Sequence, residues 1–278
     1  MYKTLLVHVD NTPRAATRID VAAQLAKRFD AHLVDTAITG LPPYLYPANG
    51  FNPAFSAIPL IVEQLRSEAD RALEQFESRA REAGVASLEC RRSDDEPGWS
   101  VSMQARHADL LVLGQASNDD GAPVLRSDFP EYVLLNCARP VLIVPAAGFY
   151  GTIGQRVTVA WNGNAESVRA MTSALPLLQE AQSVDLVIFD AGDGGRQHGQ
   201  EPGAEVAAYL ARHDVRLQVS DRESRGDTGK ALLAHAAAQQ SDLIVMGAYG
   251  HSRLREILLG GVTRSALRNA TVPLWMAH

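Results

Sequence analysis

The chain repeats itself, and this limits what it can fold into more tightly than any other feature. Leu5-Leu-Val-His-Val-Asp10-Asn-Thr12 lies over Val157-Thr-Val-Ala-Trp-Asn162-Gly-Asn164 at an offset of 152. Asp109-Leu-Leu-Val-Leu-Gly114 lies over Asp242-Leu-Ile-Val-Met-Gly247 at an offset of 133. At that second offset Asn136 meets Asn269, Pro140 meets Pro273, and Val141-Leu-Ile-Val144 coincides with Leu274-Trp-Met-Ala277. The 19-residue difference (152 − 133) assigns extra material to the first half, and the uncharged, proline-bearing stretch 40–59 is the candidate. The reading is two domains, 1–147 and 155–278. Their join falls near 146–155, where Gly148, Gly151 and Gly154 cluster.

Each half alternates short apolar runs with amphipathic stretches of helical length. In the second half strands are expected at roughly 156–161, 184–190, 215–219, 242–246 and 272–276. Helices are expected at roughly 164–181, 200–213, 227–240 and 261–270. This pattern implies βαβ crossovers and an α/β fold of two tandem five-stranded parallel sheets of Rossmann-like type. Continuous apolar strands such as Leu243-Ile-Val-Met246 suit a sheet covered on both faces. Ligands on such sheets bind beyond the carboxyl ends of the strands, where the strand order switches. The loops after strands 1 and 4 are therefore the ones to read.

Composition removes several classes. The 26 basic and 32 acidic residues leave a net charge of −6, which argues against a nucleic-acid binder working by bulk electrostatics. Two cysteines, Cys90 and Cys137, make neither a disulfide framework nor a four-thiolate metal site. Cys137 falls on an apolar helical pattern and reads as a small core residue. No apolar run reaches the ~18 residues that span a bilayer, and the N-terminus runs directly into a strand-like segment. The expectation is a soluble, cytoplasmic protein with no membrane or nucleic-acid partner.

The chemistry is concentrated in Gly247-Ala-Tyr-Gly250-His251-Ser-Arg253-Leu-Arg-Glu256-Ile-Leu-Leu-Gly260-Gly261-Val262-Thr263, which follows strand 4 of the second half and opens a helix. Glycine permits positive φ and close approach of a ligand. A helix N-terminus offers unpaired N–H groups and a partial positive charge, which suit phosphate. Thr263 adds a hydroxyl. After strand 1, Asn162 can hydrogen-bond a base or ribose, and Trp161 either covers the base or is plain core. Phosphates at the helix start, with base and sugar between strands 1 and 4, describe a nucleotide.

These residues resemble the universal stress protein family. Gly247-x2-Gly250-x9-Gly260, a small residue and then Val262-Thr263 match that family's ATP-binding signature, with Asp242-Leu-Ile-Val-Met-Gly247 before it and Val272-Pro273 after it. The resemblance covers essentially the whole chain twice, as in the tandem form. It implies domains like those of the adenine nucleotide alpha hydrolases, paired as an intramolecular pseudo-dimer that can itself form a homodimer. It also implies ATP, with Mg carried through the phosphates. The residues it assigns to the nucleotide are Ala160, Trp161 and Asn162 after strand 1, Ile188 by its backbone after strand 2, then Met246, Gly247, Gly250, Gly260, Gly261, Val262 and Thr263. His251, inside the loop, is added as a residue that touches nucleotide or its water shell. Two positions depart from the family. Asn162 stands where Asp is usual, and Gly261 stands where Ser or Thr would supply a contact of about 1 kcal/mol.

The first half has lost this loop. Ser117, Ser127 and Asp128 replace the glycines at the positions of Gly250, Gly260 and Gly261. Asp128 with Glu131 reads as a capping box that would occupy the amides a phosphate needs, and Asp119 and Asp120 add negative charge. A helix terminus attracts an anion by about 0.3–1 kcal/mol, while a carboxylate about 4 Å away repels each phosphate charge by about 1–4 kcal/mol. No ATP is expected there, although Asp10 follows its strand 1.

Other features carry less. Gly226-Asp-Thr-Gly229-Lys230 has Ser224 and Ala231 where a P-loop needs Gly and Ser or Thr, so it reads as a helix start. Gly192-Asp-Gly-Gly195 lacks the full dinucleotide fingerprint. None of the eight histidines pairs with another or with Cys at i, i+4, and His8 reads as a satisfied core residue. The aromatic stretch from Tyr44 to Phe55 reads as a packed lid or as one wall of an apolar pocket. Three functions follow. The first is an ATP-binding stress-response or regulatory protein with one site, in the second half. The second is a slow ATP hydrolase, for which His251 and Glu256 are the nearest candidate bases. The third is a carrier of a small apolar ligand in the first half.

Overall fold

In the computed structural model the described residues are 1–40, 58–116, 128–145, 151–190, 203–250 and 261–278. The chain divides into two compact units, Met1–Arg139 and Pro140–His278. Unit 1 holds β1 (Thr4–Val9), α1 (Ala15–Phe29), β2 (His32–Ile38), α2 (Ile58–Glu82), β3 (Leu88–Ser93), α3 (Pro97–Ala105), β4 (Leu110–Gly114) and α4 (Phe129–Asn136). Its strands run in the order β3-β2-β1-β4, with every recorded pair parallel.

Unit 2 holds β5 (Val141–Val144), β6 (Arg156–Ala160), α5 (Ala165–Glu180), β7 (Ser183–Phe189), α6 (Ala204–Arg212), β8 (Leu217–Arg222), α7 (Thr228–Ala238), β9 (Leu243–Gly247), α8 (Val262–Asn269) and β10 (Leu274–Ala277). Strands β10-β9-β6-β7-β8 are parallel neighbours, and β5 flanks β10 antiparallel, with Trp275 opposite Leu142. The strand that closes the first sequence repeat thus packs within unit 2. All four of its residues are buried, and an apolar tetrapeptide of this kind needs a partner edge as much as it needs a core.

The repeat has a physical origin in Asp109 and Asp242. Each carboxylate reaches back to the amides that open the first strand of its repeat. Asp109 accepts from Lys3 N at 2.7 Å and Thr4 N at 3.0 Å. Asp242 accepts from Gly154, Gln155 and Arg156 amides at 2.9–3.1 Å. The carboxylate before strand 4 therefore fixes where strand 1 begins. Replacing Asp242 with Ala orphans three amides, and a loss of about 1.5–3 kcal/mol in urea unfolding is expected, with an unchanged denaturant slope. In the core, Trp275 is fully buried, and its Nε1 donates to Ser173 Oγ at 2.9 Å, tying β10 to α5. No helix among the described residues is long and apolar enough to cross a membrane.

Candidate functional site

The carboxyl ends of β6 and β9, the adjacent middle strands of unit 2, open onto a cavity of about 290 Å³, near the lower end of the ~300–1,000 Å³ common for ligand pockets. The chain leaves β6 at Ala160 and turns at once. Asn162 Oδ1 accepts the Asn164 amide at 3.1 Å, and Gly163 adopts a φ of 75°. The same turn in unit 1 is closed by Asp10 Oδ1 on the Thr12 amide, also at 3.1 Å. The repeated polar residue after strand 1 thus shapes the turn in both units. It also leaves the Asn162 side-chain amide as a donor at the cavity.

Trp161 lies just past the strand end, half-buried, with its backbone N–H donating to Val187 O at 2.9 Å. It lines the cavity, as do Ala160, Asn162, Met246, Gly247, Gly250, Val262 and Thr263. Eight of the twelve residues assigned from sequence are thereby brought together. Gly261 is the N-cap of α8, and with no side chain it contributes no capping hydrogen bond. The first amides of α8 therefore have no side-chain cap from that residue, the condition under which a helix start accepts an anion. Thr263, 2% exposed, accepts the Tyr249 amide on Oγ1 at 3.1 Å, so the root of the glycine loop is fastened to the first turn of α8. His251, Glu256 and Gly260 lie outside the described residues, as do the whole aromatic stretch from Tyr44 to Phe55, the Gly192–Gly195 segment, Ser117, Asp119, Asp120 and Ser127.

The structure adds to the sequence reading at several points and departs from it at Asp128. The Ile188 side chain is fully buried, which leaves its backbone for the role assigned to it, and its strand neighbours Val187 and Phe189 line the cavity. Alternation along a strand is the cause. Gly247 and Gly250 also leave room for the protein itself. A Cβ on Gly247 would stand 2.6 Å from Ser167 N and 2.7 Å from Glu166 C, and one on Gly250 would stand 2.9 Å from Glu166 Oε2. These glycines admit the first turn of α5. Asp128 caps α4 by position, but its side chain makes no capping hydrogen bond, so the box with Glu131 does not form. Gly229–Lys230 sits inside α7, whose N-cap Asp227 accepts the Lys230 amide at 3.0 Å, as a helix start requires.

Glu166, Val187, Phe189, Thr228, Leu232 and Tyr249 also line the cavity and were not singled out from sequence. Tyr249 was legible, since it lies within the glycine loop. Phe189 lies near the end of an expected strand. Thr228 and Leu232 come from α7, and no local signal says that α7 closes this cavity. Behind that wall, Asp185 accepts from Ser220 Oγ at 2.8 Å and contacts His235 Nε2 at 2.5 Å, with both side chains of the His–Asp pair under 10% exposed. His235 meets Phe189 edge-on, with ring centroids 6.3 Å apart.

In unit 1 the end of β4 also packs against the first helix of its repeat. A Cβ on Gly114 would collide with Arg18 Nη1. Arg18, on α1 and 4% exposed, pairs with Asp10 at 2.9 Å. His8 Nδ1 lies 3.8 Å from Asp10, and the His8 ring packs against Phe129. Burial, helped by the Arg18 charge and opposed by Asp10, lowers the His8 imidazole to about 4. Burial alone would raise the Asp10 carboxyl. Arg18, His8 and the two hydrogen bonds from Thr12 outweigh it and hold the group well below the usual carboxylate range.

A model of the family described as Universal stress protein family matches residues 1–145 and again 154–278. Universal stress protein MJ0531 of Methanocaldococcus jannaschii is 26% identical over 147 residues, which is 52% of this chain and 82% of that protein. Among solved structures, a universal stress protein from Archaeoglobus fulgidus aligns over 99% of this chain and 95% of its own, at 16% identity and a TM-score of 0.73. A functionally unknown protein from Pseudomonas aeruginosa PAO1 aligns over 99% and 92%, at 14% identity and a TM-score of 0.59.

Proposed function

This chain belongs to the universal stress protein family, and from that premise we propose that unit 2 binds one adenine nucleotide, ATP with its Mg²⁺, and works as a nucleotide-dependent stress-response or regulatory protein. One observation carries the reading. The cavity beyond β6 and β9 has apolar walls at Trp161, Val187, Phe189 and Leu232, and it reaches the first turn of α8 at Val262 and Thr263, where the N-cap Gly261 supplies no side-chain cap. A planar base suits the first part, and an anion suits the second. Among the described residues no group of three or more His, Cys, Asp or Glu could hold a metal ion.

Unit 1 supports a stoichiometry of one, because Ser117, Ser127 and Asp128 replace the loop glycines there and Asp10 is engaged by Arg18 at 2.9 Å. Native mass spectrometry of the full chain with excess ATP and Mg²⁺ is expected to show one added nucleotide. Two added nucleotides would refute the assignment.

The decisive variant is Val262→Asp. An acidic residue in the first helical turn is favourable to α8 by about 0.3–1 kcal/mol, so the fold should persist. The same carboxylate repels each nearby phosphate charge by about 1–4 kcal/mol. Nucleotide affinity by calorimetry should fall at least tenfold while the melting temperature of the ligand-free protein holds. Unaltered affinity would move the ligand away from α8.

A further inference from the structure

Glu166 is the one formally charged side chain among the described residues lining the cavity. It stands in the first turn of α5, 17% exposed. Its Oε1 pairs with Arg169 at 3.1 Å. Its Oε2 faces Gly250, where an added Cβ would lie 2.9 Å away. Asn164 Nδ2 flanks the same point, 3.2 Å from that position, and is buried with no hydrogen-bond partner among the described residues. The next residue back along the chain, Tyr249, is bonded to Thr263 in α8. An acidic oxygen and an unsatisfied amide donor therefore sit together beside the helix start that the phosphates would approach.

A carboxylate there acts differently on one phosphate and on three. A single phosphate can sit on the α8 amides and take the Asn164 donor. A longer chain adds negative charge in the same small space, where solvent screens it weakly. Arg169 offsets this only in part, because half of its side chain is exposed. A divalent cation bridging the outer phosphates relieves the repulsion. Resting on the nucleotide reading above, we propose that Glu166 sets the phosphate count of the site: it favours an adenosine monophosphate over a triphosphate unless a divalent cation accompanies the triphosphate.

The test uses the full-length protein and isothermal titration with AMP and with ATP, each in EDTA and in Mg²⁺. Wild type is expected to bind AMP at least tenfold more tightly than ATP in EDTA, and Mg²⁺ should narrow that gap. Glu166→Gln should bring the ratio in EDTA to within about threefold, chiefly by strengthening ATP. Arg169→Ala, at an exposed position, removes the partial offset and should widen the ratio, so the proposal does not depend on Glu166→Gln alone. A wild-type ratio near one, or a ratio that neither variant moves, overturns the role of Glu166 and leaves nucleotide binding intact. Absence of heat with both nucleotides in wild type overturns the nucleotide reading together with it.

Discussion

Asp185→Ala is expected to destabilise the protein by about 3–5 kcal/mol, which is a large part of the stability of an ordinary domain. Asp185 is 4% exposed, and it is the acceptor shared by Ser220 on β8 and His235 on α7. Removing it leaves a buried hydroxyl and a buried imidazole without their partner, and the desolvation cost of each is then uncompensated. Replacing all three together (Asp185→Leu, Ser220→Ala and His235→Leu) removes the unmet groups, so it should cost much less than Asp185→Ala. Urea unfolding of both variants measures the difference. Equal costs would mean that packing alone matters at this point. The single variant should also weaken ligand binding, because α7 carries Thr228 and Leu232 in the cavity wall.

The second large effect is a pH dependence hidden in unit 1 by two opposed groups. His8 has its imidazole lowered from 6.5 to about 4, by burial first and then by Arg18. As pH falls from 6.5 to 4 the unfolded chain takes a proton that the folded chain refuses, so stability declines toward acid by about 3 kcal/mol. Asp35 is fully buried. Burial raises its carboxyl from 3.8 to about 7, against the pull of the Arg91 amide at 3.0 Å. As pH rises from 3.8 to 7 the unfolded chain gives up a proton that the folded chain keeps, so stability declines toward neutral by about 4 kcal/mol. The two slopes oppose each other over nearly the same window. Asp35→Asn removes the second slope. Its unfolding free energy relative to wild type should improve by about 4 kcal/mol between pH 4 and pH 7, and groups common to both proteins cancel in that difference. A constant difference across pH would show that Asp35 titrates as an exposed carboxylate.

The sequence was most informative where one period or one repeated residue carried the signal. The apolar runs located β6, β7 and β9 to within a residue or two, because strands buried on both faces allow few polar substitutions. The glycine spacing pointed to the end of β9 and the start of α8. A missing side chain does not say which neighbour needs the room, and at Gly247 one such neighbour is the first turn of α5. Asp109 and Asp242 were visible only as a repeat, because their amide partners are 86–106 residues away in sequence. The α7 wall and Glu166 depend on how helices lie across the sheet, which no local pattern records. In unit 1 the sequence suggested that acidic residues exclude a phosphate. Asp119 and Asp120 lie outside the described residues, and among the described ones Asp10 is held by Arg18.

The antiparallel edge made by Val141–Val144 against Leu274–Ala277 bears on how this gene can be divided. A fragment begun at the glycine-rich join, as the repeat would suggest, lacks the tetrapeptide that shields Leu274, Trp275 and Met276. Its open edge is then a template for a second molecule. A fragment begun at Pro140 carries its own cover.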